Sequence, residues 1–144
     1  MTDMVNHPPH YKRGGIETLD VLEAWMLYGD MYRAHAVRYI ARAGVKHPAK
    51  YAEDLRKAVF YLLREADLRL PLVYLGDLDK TLDPQYKWGQ LVRAWDLSNE
   101  VADALGAILY ARTWTDLKVA AAYLIGVADE WERRQARENN RGAT

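Results

Sequence analysis

Apolar residues recur every three or four positions along most of the chain, which is the period of amphipathic helices. The helices that this pattern predicts cover residues 16–28, 31–43, 50–69, 86–111 and 115–137. The first two are expected to end at Gly29 and Gly44, because glycine is favoured just after a helix. The pattern therefore predicts an all-α protein, a compact bundle of about five helices.

Two of these helices have clear core stripes. In the third predicted helix the apolar face consists of Leu55, Ala58, Val59, Leu62, Leu63 and Ala66. In the second it consists of Ala36, Val37, Ile40, Ala41 and Ala43, and the opposite face carries His35, Arg38, Tyr39 and Arg42. Each helix is thus expected to bury one face and to present polar and aromatic side chains on the other.

Two helical segments resemble each other. "DLRKAVFYLLREAD" (54–67) and "DLKVAAAYLIGVAD" (116–129) share the pattern D-L-basic-x-A-x-x-Y-L-x-x-x-A-D. Two explanations stay open: two related helical hairpins, or two amphipathic helices that use the same common helix formers. The outer residues differ, since Lys57, Arg64 and Glu65 are matched by Val119, Gly126 and Val127.

This difference suggests a division of labour within one helical domain, residues 1–144. Residues 5–69 are expected to carry the polar site, and residues 85–137 to form a second hairpin for core and oligomer contacts. A helix that is apolar nearly all round is buried in its own domain or against a partner. Four tryptophans that we expect to be exposed also favour a homo-oligomer: Trp88, Trp95, Trp114 and Trp131.

Composition narrows the function classes. Twenty basic residues offset twenty acidic ones, so nucleic acid is not an expected partner. The chain has no cysteine, which rules out disulfides and thiolate metal sites. No apolar run approaches the ~20 residues of a membrane span, so we expect a cytoplasmic protein. P-loop, G-x-G-x-x-G and H-E-x-x-H motifs are absent, and Ser98 is the only serine.

Basic side chains cluster on the second and third predicted helices. Arg38 and Arg42 are four residues apart and project together, with Lys46 just past the helix end. If the two helices form an antiparallel hairpin, these cations and Lys57 converge on one groove that suits phosphate oxygens. The alternative is a solvated polar face with ion pairs to Glu53, Asp54 or Glu65.

Carboxylates are the second candidate group. Glu17, Asp20 and Glu23 recur every three residues, and Glu53 and Asp54 open the third helix. Acidic groups on facing helices can hold Mg²⁺ together with water and substrate phosphates. Favourable placement at a helix N-terminus explains Glu17, Glu53 and Asp54 equally well, but it does not explain Asp20 and Glu23.

The segment "NHPPHYKRGGIE" precedes the first helix. His7 and His10 flank two prolines and are suited to bind a metal, donate to a phosphate, or act as acid and base near neutral pH. Two interpretations stay open for this segment: a shaped loop that presents these side chains to a ligand, or a loose N-terminal arm.

Three motifs resemble those of a small bacteriophage protein family. They are Asn6-His7-Pro8-Pro9-His10-Tyr11 followed by Gly14-Gly15-Ile16-Glu17, then Arg38-Tyr39-Ile40-x-Arg42-Ala43-Gly44-x-Lys46, then Glu53-Asp54-Leu55-x-Lys57-Ala58-x-x-Tyr61-Leu62. The family includes a phage deoxynucleoside monophosphate kinase that lacks a P-loop. The resemblance covers residues 5 to about 66, and it implies that the His-Pro-Pro-His loop is ordered and belongs to the site.

The resemblance implies a nucleotide ligand and phosphoryl transfer to a deoxynucleoside monophosphate in the cytoplasm of an infected bacterium. The donor would be ATP or another nucleotide, with the need for Mg²⁺ left open. The expected catalytic residues are His7, His10, Asp20 and Asp54. The expected substrate-binding residues are Asn6, Tyr11, Arg38, Tyr39, Arg42, Lys46, Lys57 and Tyr61. The expected metal ligands are Glu17 and Asp20. Two other functions stay open: an all-α nucleotide pyrophosphohydrolase, and a nucleotide-sequestering or host-interaction protein without turnover.

Overall fold

A computed structural model describes residues 12–142 of the chain. The elements are β1 (Lys12–Arg13), β2 (Ile16–Glu17), α1 (Thr18–Ala24), α2 (Met31–Arg42), α3 (Tyr51–Leu68), α4 (Trp88–Ala94), α5 (Asn99–Leu109) and α6 (Trp114–Gly142). Short 3₁₀ turns fill several of the connections. The prediction of an all-α bundle is confirmed; the His-Pro-Pro-His loop lies outside the described residues.

Four helices form the centre of the bundle. Helix α2 packs on α3, α3 on α6, α6 on α5, and α5 closes the ring against α2. Their apolar faces meet in one core cluster to which both halves of the chain contribute. Removal of this apolar surface from water is the main stabilising term of such a bundle.

Helices α2 and α3 form where the sequence pattern predicts them. The Asp30 carboxylate caps α2 by accepting from the backbone N–H of Arg33 at 3.0 Å. Gly44 follows α2 with a φ of 70°, a conformation that favours glycine. Every predicted core residue of the two stripes is buried except Leu63, which is half-buried.

The two similar segments bury equivalent positions. Both helices turn the shared apolar positions inward: Leu55, Ala58, Leu62 and Ala66 in α3, and Leu117, Ala120, Leu124 and Ala128 in α6. In both helices most of the positions between them are more exposed, with Val59, Glu65 and Ala121 as buried exceptions. The shared pattern therefore reflects a shared packing role, whichever explanation of its origin holds.

The prediction of one helix over residues 86–111 is wrong. Helix α4 ends at Ala94, Asp96 adopts a left-handed φ of 49°, and α5 begins at Asn99. The backbone N–H of Leu97 donates to the Val92 carbonyl at 3.0 Å, which closes a Schellman-type helix end. The Ser98 hydroxyl then accepts from the Val101 N–H and caps the next helix.

The predicted first helix is also shorter than expected. Residues 12–17 instead form a small antiparallel hairpin in which Lys12 pairs with Glu17. Its turn is Gly14-Gly15, with φ of 61° and 79°, as a two-residue type I′ turn requires. After α1, Met26 takes a φ of 55° and a 3₁₀ turn covers Leu27–Gly29.

This hairpin is attached to the bundle at two points. A Cβ atom at Gly14 would overlap the backbone of Ala94, so the turn lies directly against the end of α4. The Arg13 guanidinium donates to the Ala41 carbonyl at 3.2 Å, near the end of α2. The chain therefore enters the described structure beside the C-terminal end of α2.

The expectation of exposed tryptophans is wrong. Trp95 is buried, whereas Trp88, Trp114 and Trp131 are half-buried. The Trp88 indole N–H donates to the Ala102 carbonyl at 2.8 Å, and that of Trp114 donates to Leu70 at 2.9 Å. These rings are therefore wholly or partly engaged within the fold, and the homo-oligomer stays a prediction. Across residues 12–142 no helix is long and apolar enough to cross a membrane.

Candidate functional site

The exposed side of the α2/α3 hairpin gathers cations around one aromatic ring. The guanidinium of Arg42 lies 5.3 Å from the ring centroid of Tyr39, and the Lys57 ammonium lies 5.6 Å from the same centroid. Arg38 lies one turn before Arg42 on α2. We call Arg38, Tyr39, Arg42 and Lys57 the cationic face.

An aromatic stack continues this face along the hairpin. The Tyr61 ring of α3 stacks on His35 at a centroid distance of 4.7 Å and lies nearly parallel to Tyr39 at 6.0 Å. Tyr32 and Phe60 contact the same ring at 6.3 Å and 5.3 Å. The stack fixes the position of Tyr39, and Tyr39 in turn fixes the cations beside it.

The arginines of the cationic face are available for an anion. Among residues 12–142, neither Arg38 nor Arg42 forms an ion pair. Lys57 lies 3.8 Å from Glu53, but both groups are exposed, and such a pair contributes little. The alternative of a face neutralised by ion pairs therefore holds for Lys57 alone.

His35 adds a neutral imidazole to this face. Its burial, together with the positive charge of Arg38, lowers the pKa of His35 below its ordinary value. Its Nδ1 lies 3.3 Å from an Arg38 nitrogen. An uncharged ring accepts a hydrogen bond there from the guanidinium, which leaves its other nitrogen as a donor. The helical pattern predicts His35 beside the arginines, although His35 is not among the expected site residues.

Asp54 and Lys46 are two further residues that were expected in the site. Asp54 is buried, and its carboxylate accepts from the Gly44 N–H at 3.2 Å, so it holds the end of α2. Lys46 is exposed in the loop after α2. Asn6, His7, His10 and Tyr11 lie outside the described residues.

The two expected metal ligands lie at the start of α1. Glu17 is half-buried at the start of α1, and Asp20 is exposed. Burial raises the pKa of Tyr86, and the carboxylates of Asp20, Asp83 and Glu23 raise it further, which places Asp20 toward the α4 side. Within residues 12–142 no three histidine or acidic side chains come together as metal ligands.

A buried polar cluster at the start of α2 was missed by the sequence analysis. Arg33 and Glu65 are each 1% exposed. The Arg33 guanidinium donates to Asp30 at 2.6 Å, to the Val73 carbonyl at 2.8 Å and to the Ile108 carbonyl at 3.3 Å. It thereby ties the connector after α3 and the end of α5 to α2.

Glu65 completes this cluster as an uncharged acid. Burial and the neighbouring Asp30 raise the pKa of Glu65 to about 9. Burial also acts on Asp30, but hydrogen bonds from Glu65 and Arg33 outweigh it, so the pKa of Asp30 is lowered. No group donates to Glu65 Oε2. A proton on Glu65 resolves this, because the acid then donates to the Asp30 carboxylate. The D-x-x-R spacing at the start of α2 was the only local signal of this cluster.

Comparison with known proteins finds a family match in the first half of the chain. Residues 5–63 match the model of a family described as proteins of unknown function (DUF3310). The match covers less than half of the chain and ends within α3. No significant match is found among curated proteins or among solved structures.

Proposed function

We propose that the cationic face binds the phosphates of a nucleotide, and that the protein transfers a phosphoryl group to a deoxynucleoside monophosphate. ATP or another nucleotide would be the donor. The observation that supports this most directly is the placement of Arg42 and Lys57 against one Tyr39 ring. The reaction is suggested by the resemblance of the first half to a phage protein family that includes a nucleotide kinase.

The chemistry suits a phosphate ligand. Arginine donates two parallel hydrogen bonds to phosphate oxygens, and lysine supplies a mobile point charge. Phosphoryl transfer depends on positioning and on neutralising the charge of the transferred group, more than on covalent chemistry by the protein. Arg38, Arg42 and Lys57 would supply that neutralisation.

The described residues do not offer a carboxylate cage for Mg²⁺, so no step of the proposal depends on a protein-held metal. The same observation gives a pyrophosphohydrolase, which relies on several helical carboxylates, no support from this part of the chain. His7 and His10 stay predictions as proton-transferring groups.

One assay tests the reaction. Purified protein is incubated with ATP and each deoxynucleoside monophosphate, and separately with each triphosphate alone, before the products are resolved by chromatography. The proposal expects new diphosphate from a monophosphate. Monophosphate and pyrophosphate from a triphosphate would instead identify a hydrolase. Ligand-induced protection against thermal unfolding without any product would leave nucleotide binding and refute phosphoryl transfer.

A pair of variants tests the site. We expect Arg42→Ala to reduce turnover and nucleotide affinity at least tenfold, because Arg42 has no other charged partner among the described residues. Arg134→Ala is the matched control: it removes an exposed arginine that is paired with Glu130 at 3.1 Å on α6. Equal activity in the two variants, with unchanged circular dichroism, would refute the assignment of the cationic face.

A further inference from the structure

A small apolar cleft adjoins the cationic face. It has a volume of about 260 Å³ and lies between α1 and α2. His35 and Arg38 form one end of it, and these are residues of the aromatic stack and of the cationic face. The cleft is therefore continuous with the proposed phosphate site through these two side chains.

The walls of the cleft are unusually apolar for an exposed surface. Leu19 is 53% exposed, Met31 57% and Tyr28 72%, and all three line the cleft. Large side chains of this kind are rarely grouped at the surface of a protein without a binding role. Apolar walls with a few polar groups are the usual environment of a small-molecule site.

One carboxylate lies in the cleft. The Glu23 side chain makes no hydrogen bond and no ion pair with any residue in 12–142, although it is close enough to Tyr86 to raise the pKa of that phenol. An ionised carboxylate accepts hydrogen bonds only. Glu23 is thus suited to accept from a ring N–H, an amino group or a hydroxyl of a ligand in the cleft.

The rings of the aromatic stack are already covered. Tyr61 has His35 on one side and Tyr39 nearby, while Tyr39 has Arg42 and Lys57 against it. A nucleobase that stacked on these rings would have to displace contacts within the protein. The apolar cleft requires no such displacement.

We propose that the cleft between α1 and α2 receives the base and sugar of the nucleotide, with Glu23 as the hydrogen-bond acceptor and Arg38 at the boundary with the phosphates. This inference rests on the proposed nucleotide function of the cationic face. It places the specificity-determining residues of the substrate on α1 and at the start of α2, whereas the phosphate-binding residues lie on α2 and α3.

Binding measurements with three ligands test the inference. The ligands are a deoxynucleoside monophosphate, the abasic 2-deoxyribose 5-phosphate, and inorganic pyrophosphate, each titrated by calorimetry. We expect the complete nucleotide to bind at least tenfold more tightly than the abasic ligand.

We expect Glu23→Gln and Met31→Ser each to weaken nucleotide affinity about tenfold and to leave pyrophosphate affinity unchanged. The control variants Glu138→Gln and Leu68→Ser remove an exposed carboxylate and an exposed apolar side chain elsewhere, and they should change neither affinity.

The outcomes separate the two proposals. If the wild type binds neither pyrophosphate nor nucleotide, the proposed function fails. A second outcome is that the wild type binds both ligands and Arg42→Ala weakens both. If the Glu23 and Met31 variants then bind the nucleotide as tightly as the wild type does, the proposed function stands and the cleft assignment is refuted. An abasic ligand that binds as tightly as the nucleotide would refute the cleft assignment as well.

Discussion

The hairpins α2/α3 and α5/α6 have similar interiors and different surfaces. Leu62 of α3 and Leu124 of α6 occupy the same place in the shared pattern, and both are buried. On the outer side, Lys57 contacts the Tyr39 ring, whereas its counterpart Val119 is exposed. The inner positions set the packing, and the outer positions are where chemistry can differ without loss of the fold.

The contrast also extends to one inner position. Glu65 of α3 corresponds to Val127 of α6, and both contribute no charge to the interior, the first because it holds a proton. An acid in place of an aliphatic residue lets α3 engage Asp30 and, through it, Arg33. The two hairpins therefore differ in chemistry at this position, where Glu65 is buried and Val127 is half-buried.

The largest effect is expected from the shared core positions. Leu62→Ala and Leu124→Ala should each lower the free energy of unfolding by about 2–5 kcal/mol, because each leaves a cavity in a close-packed core. Urea denaturation measures both. Phe60→Ala is the control, since Phe60 is exposed and its loss should cost less than about 1 kcal/mol. A small effect in only one leucine variant would show that the two helices are not equivalent in the core.

The buried acid should make stability depend on pH. The ordinary pKa of glutamate is 4.5, and that of Glu65 in the folded state is about 9. Between these values the folded protein keeps a proton that the unfolded chain releases, so the free energy of unfolding falls as pH rises. Asp30 and Arg33 face Glu65. The pKa of Asp30 is lowered in the fold, so Asp30 changes the free energy of unfolding only at acidic pH.

Glu65→Gln should remove this dependence, and its free energy of unfolding should exceed that of the wild type by about 1–3 kcal/mol at pH 8.5. The amide keeps a donor toward Asp30 and does not have to retain a proton that the unfolded chain releases. At pH 5.5 the two proteins should be close in stability. Urea unfolding from pH 5.5 to 9 measures this, with the exposed Glu53→Gln as control. Parallel pH profiles for the wild type and Glu65→Gln would show that Glu65 is ionised in the fold.

The smallest effect is expected from an ion pair that connects the two hairpins. Arg56 of α3 lies 2.7 Å from Asp129 and 3.0 Å from Glu132 of α6. All three side chains are substantially exposed, so Arg56→Ala should cost less than about 1 kcal/mol. The cost should shrink further in high salt. Lys118 is the counterpart of Arg56 in α6, and Lys118→Ala should leave the free energy of unfolding unchanged. If Arg56→Ala lowers the free energy of unfolding by more than about 1 kcal/mol, or by an amount independent of salt, the contact is not a screened surface ion pair.

Periodicity alone was enough to predict the core. Ala36, Val37 and Ile40 in α2 were placed inside because their spacing matches one face of a helix, and the structure buries them. Periodicity does not predict the helix break at Asp96, because the apolar pattern continues on both sides of it. The Gly14-Gly15 turn carried a recognisable hairpin signal that was not used.

The candidate site was predictable in part. The i, i+4 spacing of Arg38 and Arg42 and the hairpin connection were sufficient to place the cations with Lys57. The role of Asp54 was not, because its contact with Gly44 depends on how the loop returns to α3. The Asp30–Glu65 pair and the cleft beside Arg38 were not predictable from the sequence either. Both are formed by residues that only tertiary packing brings together.

The most direct measurement is nucleotide affinity after α3 is given the residue that α6 carries. Lys57→Val should lower the affinity for a deoxynucleoside monophosphate at least tenfold and leave the urea unfolding midpoint nearly unchanged, because position 57 lies outside the core. The reverse change, Val119→Lys, should alter neither quantity. A Lys57→Val protein that binds the nucleotide as tightly as the wild type, or a wild type that binds none, would contradict the assignment of phosphate binding to the α2/α3 hairpin.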